Sequence, residues 1–244
     1  MASEIDDGLH WLRPPLQSAR SLILIILFMH ACDLCAQTDS TRLEMDSINH
    51  CRLLAAPTAR SLPEDKGYIN LAGIIFPNFG YGITDELMVR GGITPFTISG
   101  NILYFGLGQL QVAQYGDLAI AGGIILTDMT GNARNWENTF YGYGVVSYGS
   151  DIAAIHAAFG GGYSSTRESS TAVFMIGGEL KIARTTKLIT ENWIVAESGS
   201  AAYSLAVRIF GSALTGELGG VIVTDLKTFK IGSVVPWIGI TFIL

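Results

Sequence analysis

After Met29 the chain has no apolar run of the ~20 residues that a membrane-crossing helix requires. Charge is also scarce. Asp, Glu, Lys and Arg make up 15% of the 244 residues, against roughly a quarter in soluble domains. The net charge of −6 argues against a nucleic-acid partner, which favours a basic face. Of three cysteines, only Cys51 lies beyond the leader described below, so neither a disulfide framework nor a Cys-based zinc site can form. What the chain has in abundance is glycine, with 29 residues, and apolar residues, at 49%. Glycine at this level, well above the ~7% average and without a collagen-like period, fits bends and close backbone approaches in strands. Plentiful aromatic and β-branched residues exclude a disordered chain.

The N-terminus accounts for part of the apolar content. Arg13 and Arg20 precede the apolar stretch from Ser21 to Met29, and a small residue, Ala36, follows. This is the pattern of a secretory signal, placing residues 1–36 in a removable leader with an over-extended start. Cys32 offers a lipoprotein alternative, although Met29 and His30 fit that motif poorly. Residues 37–52 are polar and charged and are expected to form a periplasmic lead-in.

From about residue 53 to the end, short Gly-rich segments of alternating polarity are separated by turn signals. Twelve such segments are expected, from Leu53–Ser61 and Gly67–Phe79 through to Val234–Phe242, with residues 53–244 forming the barrel. Their connections alternate between tight and longer, as in outer-membrane barrels with short periplasmic turns. The expected fold is an all-β, closed, antiparallel up-and-down transmembrane barrel. Pro57 inside the first segment leaves an N-terminal arm and a ten-strand barrel as the alternative. Tyr68, Tyr81, Tyr104, Tyr141, Tyr143, Tyr148, Tyr163, Trp193 and Trp237 are candidates for interfacial aromatic belts.

Alternation also assigns faces. Phe174, Ile176 and Leu180 share one face while Glu179 and Lys181 lie on the other; Tyr203, Leu205 and Val207 oppose Ser204 and Arg208. Arg90, Glu179, Lys181, Arg208 and Glu217 are therefore expected in the lumen, as a paired ionic network or as a charged constriction. Glu191 stays ambiguous because Ile189 and Trp193 share its face.

Catalysis finds little support. Beyond the leader, histidine occurs only at His50 and His156. Ser147 and Ser164 are conceivable partners for His156, but a lumenal histidine bonded to a carboxylate is the plainer reading. Gly142-Tyr-Gly144 and Gly160-Gly-Gly162 lie in strands with no following helix, so they are not phosphate loops. No catalytic residue, metal site or cofactor is expected, and the protein is read as a non-enzyme.

Pro57–Tyr68, Phe79–Asp85 and the ending Pro236–Leu244 resemble a group of predicted outer-membrane β-barrel proteins common in Bacteroidetes-type bacteria. The likeness covers about Pro57 to Leu244 and implies fold and location rather than substrate. The ending is also similar to the C-terminal strand signal read by the barrel-assembly machinery, although Phe242 is followed by Ile243 and Leu244 where a terminal aromatic is usual. The expected partners are outer-membrane lipids, that machinery, and small solutes. The sequence leaves three functions open: a narrow porin-like channel, a structural membrane protein, or a carrier for hydrophobic molecules. A soluble lipocalin-like barrel is disfavoured by the low charge.

Overall fold

The computed structural model describes residues 46–73, 76–94, 102–130, 139–164, 169–211, 214–227 and 230–244. Residues 1–36, where a leader is expected, and residues 131–138, which include Arg134 and Trp136, lie outside them. Twelve strands close into one antiparallel barrel, each paired with its sequence neighbours and β1 with β12. They are β1 Gly67–Ala72, β2 Phe76–Gly82, β3 Leu87–Thr94, β4 Ile102–Tyr115, β5 Leu118–Thr130 and β6 Thr139–Gly149, followed by β7 Ala153–Ser164, β8 Ser169–Ala183, β9 Thr186–Val195, β10 Ser200–Phe210, β11 Leu214–Asp225 and β12 Lys230–Ile243.

The count of twelve is reached differently from the sequence expectation. Leu53–Ser61 is not a strand: it lies inside the barrel, with Leu53, Leu54, Ala56 and Ala59 buried. The expected strand Gly67–Phe79 is instead two, β1 and β2, folded at Gly73, whose φ of +58° suits a residue without Cβ. One loss and one gain cancel. The turn was hard to see because apolar residues run on through Leu71 to Phe76 with a single glycine as punctuation. The long loop expected over Thr224–Ser233 also shrinks, since β11 extends to Asp225 and β12 begins at Lys230.

Connections after β2, β4, β6, β8 and β10 span two to four residues, and those at the opposite end three to eight. Gly116, at φ +56°, makes the two-residue turn after β4 possible. The short-turn end is the periplasmic end by the rule for such barrels, and the C-terminus lies there.

Outward-facing side chains are overwhelmingly apolar, with Ile155, Phe159, Phe174, Ile176, Leu205 and Leu218 all exposed. Tyr81, Tyr115 and Tyr148 are exposed near the short-turn end, and Tyr104 and Tyr163 near the other. These five form the interfacial belts. Tyr68, Tyr143 and both tryptophans face inward instead: Tyr68 is fully buried, the Tyr143 hydroxyl donates to Gln109 at 2.9 Å, and the indoles donate to lumenal glutamates.

The wall is thinnest where aromatic rings lie on glycines. A Cβ at Gly80 would meet the Tyr68 ring at 2.6 Å, whereas one at Gly144 would meet nothing within 4 Å. Gly80→Val is expected to destabilise the barrel by about 1–3 kcal/mol through overpacking, and Gly144→Val to be near neutral. The unfolding temperature read from the heat-modifiable gel band checks both.

Candidate functional site

Eight strands leave a lumen that side chains can fill, whereas sixteen leave an aqueous channel. At twelve, the space in this barrel is taken up by the chain's own residues 46–66. Asp46 to Asn49 form one helical turn, and the segment then loops irregularly to Gly67. It enters at the short-turn end, where a polar vestibule of about 580 Å³ lies between His50, Arg60 and the turn residues Asp117 and Asp151. Its apolar side chains pack in three clusters: Leu53, Leu54 and Ala56 against Met175, Ile189 and Ala206; Ile48, Cys51 and Leu62 against Tyr68 and Met88; and Ala59 against Ala119, Ala121 and Val145.

An irregular segment leaves backbone groups that must find partners. Here the wall supplies them. One oxygen of Glu191, Oε2, accepts three successive backbone N–H groups, from Leu54 at 2.8 Å, Ala55 at 2.9 Å and Ala56 at 3.0 Å. Its other oxygen accepts the Trp193 indole N–H at 2.7 Å. Three amides converging on a carboxylate make an anion-holding nest. The Ala59 N–H donates to Ser147 Oγ at 2.8 Å, Gln109 Nε2 donates to the Thr58 carbonyl at 2.9 Å, and Arg90 Nη2 donates to the Ala55 carbonyl at 3.4 Å. Arg208 donates to the carbonyls of Asn49, Arg52 and Leu53.

Charge pairs fix the root of the loop. Glu217 Oε1 is shared between Arg208 Nη2 at 2.8 Å, from the wall, and Arg52 Nη1 at 2.9 Å, from the segment. Trp237 donates to Glu217 Oε2 at 3.0 Å. All three charged groups are buried. Nearer the mouth, Asp46 meets Lys187 at 2.6 Å, Lys181 at 3.1 Å and His50 at 3.0 Å, and Lys187 also meets Glu179 at 3.2 Å. Burial opposes ionisation of Asp46, but the His50 hydrogen bond and the Lys187 charge outweigh it and hold the carboxyl well below its usual range. Burial pushes the Cys51 thiol up, and its Sγ donates to the Ile48 carbonyl at 3.3 Å, so it is no ready nucleophile.

Of the five charged residues named from the sequence, Arg90, Glu179, Arg208 and Glu217 are buried, and all five have polar partners. Arg208 and Glu217 pair directly, Glu179 pairs with Lys187, Lys181 pairs with Asp46, and Arg90 reaches only a carbonyl. Asp46, Arg52 and Lys187 went unrecognised, and the sequence leaves Glu191 ambiguous. Lys187, Ile189, Glu191 and Trp193 share one face of β9. Two ionisable residues on a single face signal the lumen, but two large apolar neighbours hid that signal. His156 does pair with Ser147, Nδ1 to Oγ at 2.7 Å, but no carboxylate hydrogen-bonds it among the described residues. That hydroxyl is fully buried beneath Ala59 and serves the plug rather than a substrate.

An apolar outer face with aromatic belts and a closed twelve-strand sheet define a bacterial outer-membrane β-barrel. No protein-family model matches the chain, and neither does any curated protein. Among solved structures it is similar to the KdgM porin, both alone and in complex with disordered oligogalacturonate, at TM-score 0.52 and 7% identity over 72% of this chain and 96% of that one. It is also similar to OccK5 (OpdH) of Pseudomonas aeruginosa, at TM-score 0.42 and 9% identity over 69% of this chain and 57% of that one. At such identities the likeness is one of fold.

Two outcomes test the anchoring. Glu191→Gln removes the charge from the three-amide nest, worth about 1.5–3 kcal/mol for hydrogen bonds to a charged group. The amides of Leu54, Ala55 and Ala56 should then exchange roughly 10–100-fold faster by hydrogen exchange. Because the Asp46 carboxyl is depressed while seated, its contribution is present above the free carboxylate range and is lost as pH falls through the seated value. The mouth contacts should therefore survive mild acid and fail only in strong acid, and Lys187→Met should move that failure to higher pH. Protease access to residues 46–52 across a pH series reads this.

Proposed function

We infer that the protein is a narrow porin-like channel gated by its own N-terminal segment, with residues 53–62 as the gate and Arg52 as its fixed root. The observation that carries this reading is how the gate is held. Beyond Leu53 and Leu54, whose carbonyls Arg208 and Arg52 hold, its backbone bonds to Glu191, Ser147, Gln109 and Arg90 are made with polar wall groups that water can serve once the loop withdraws. Arg52, by contrast, sits in the buried triad with Glu217 and Arg208 and also donates to Thr241 at 2.6 Å. The likeness to the KdgM porin supports the channel reading at the level of fold, and the resemblance to Bacteroidetes-type barrels is retained as part of the proposal.

Arg90 is the group positioned to choose solutes. Among the described residues its Nε and Nη1 have no hydrogen-bond partner, and its one hydrogen bond is to the gate. Withdrawal of the loop leaves that cation facing the path, and a fixed lumenal cation favours anions.

Single-channel recording of the mature protein in planar bilayers tests both claims. The wild type should be closed with sparse openings, Glu191→Gln should raise the open probability about tenfold or more, and Arg90→Gln should reduce the anion preference of the open state. An inserted, heat-modifiable barrel that stays silent in the wild type, in Glu191→Gln and with Gln109→Ala added would sink the channel reading.

A further inference from the structure

Two arginines flank one buried tyrosine, and each of the three carries a donor without a hydrogen-bond partner among the described residues. Tyr68 on β1 stands opposite Gly80 on β2, which in turn stands opposite Arg90 on β3. The Tyr68 ring crosses this row over Gly80, its hydroxyl 3.0 Å from where a Cβ on that glycine would lie. The hydroxyl is thereby carried toward Arg90. From the plug, the Arg52 guanidinium lies over the same ring, 5.7 Å from its centroid. The charges of Arg90 and Arg52 both reach the hydroxyl. The donors left over are Tyr68 Oη, Arg90 Nε and Nη1, and Arg52 Nε.

Burial makes this costly. Arg90 is 6% exposed, and Arg52 and Tyr68 lie deeper still. A buried donor without an acceptor is unfavourable, and a buried cation without a counter-charge more so. Arg52 at least shares Glu217 with Arg208. No described carboxylate pairs with Arg90, whose one hydrogen bond is to the Ala55 carbonyl. Water would answer the hydrogen bonds but not the charge. The surroundings limit what else fits. Tyr68 packs with Met88, the inward residue on one side of Arg90, and the Phe105 ring lies on Gly92, the inward residue on the other. A slot between two rings suits a compact ion rather than an extended solute. Asn78, opposite Gly92, also has an unpartnered atom, but it is the acceptor Oδ1, so an anion belongs on the Tyr68 side of Arg90.

We propose that Tyr68, Arg90 and Arg52 hold a small monovalent anion of chloride size while the plug is seated. The ion accepts the Tyr68 O–H and the free N–H groups of the two guanidiniums, and it supplies the counter-charge that Arg90 lacks. Tyr68 and Arg90 belong to the wall and Arg52 to the plug, so the ion bridges the two and tightens the seated plug. The site needs the seated plug but not conduction. A silent barrel would leave it standing, and an ion-free barrel would leave the gate standing.

Retention of radiolabelled chloride by the mature barrel in neutral detergent tests this, with gluconate as the replacement anion at constant ionic strength. The wild type should retain chloride saturably, one ion per barrel, displaced by bromide and nitrate but not by sulfate. Tyr68→Phe keeps the ring and loses one hydrogen bond to a charged group, so it should weaken retention about tenfold. Arg90→Gln should abolish retention. Protease access to residues 46–52 should fall as chloride replaces gluconate, because a ligand of the seated state favours that state. If Arg90→Gln does not fold, Tyr68→Phe and the protease pattern decide. The proposal is overturned by an absence of saturable retention, by equal displacement with sulfate, or by retention that is unchanged in variants keeping the heat-modifiable band.

Discussion

Much of the interior depends on one carboxylate held by two arginines. Glu217 comes from β11, Arg208 from β10 and Arg52 from a segment more than 150 residues earlier in the chain, and all three are buried. Three charges out of water are tolerable only with near-complete hydrogen bonding, and removing one partner from such a group typically costs about 3–5 kcal/mol. Two guanidiniums against one carboxylate leave an excess positive charge. That excess is met by backbone: Arg208 takes the carbonyls of Asn49, Arg52 and Leu53, and Arg52 takes those of Leu53 and Leu54. The plug can therefore be irregular. The arginines do for its carbonyls what a helix or a sheet would otherwise have done, while Glu191 does the same for its amides.

The lumen is thereby divided into two solvents. Toward the short-turn end of Glu191 it holds the plug and its ion pairs; beyond Glu191, up to Asp225, no described charged residue faces it. The two indoles mark the boundary, each presenting its ring to the apolar cluster and its N–H to a glutamate, Trp193 to Glu191 and Trp237 to Glu217. An amphipathic ring is suited to such a border.

What the sequence made legible follows the same division. Period-two alternation identified the barrel class and the lumenal placement of Arg90, Glu179, Lys181, Arg208 and Glu217, because a one-residue error would turn every charge into lipid. Leu53–Ser61 was misread because a plug and a strand obey similar local rules here. Both need apolar residues interrupted by polar ones, and only the partner differs, lipid and neighbouring strands in one case, lumenal side chains in the other. Pro57 was the sole local objection, and in the structure it forms an isolated bridge with Arg52 rather than a ladder. The partners of the lumenal charges were invisible for a separate reason. Asp46, Arg52 and Arg60 sit in a stretch that reads as a linker, and nothing local says that a linker turns inward.

The seam of the barrel explains why the root of the plug is fixed even if its tip moves. β1 and β12 close the sheet over only four residue pairs, the weakest joint in the wall. Closure is reinforced from inside. Thr241 on β12 accepts from Asn70 on β1 at 2.7 Å and from Arg52 at 2.6 Å, and Asn78 on β2 donates to Asn70 at 3.0 Å. Arg52 also lies over the Tyr68 ring, 5.7 Å from its centroid. A single plug residue thus touches both strands of the seam and the triad on the next pair of strands. A barrel whose first strands are this short gains its closing contacts partly from the segment that precedes them, so plugging and closure are one event rather than two.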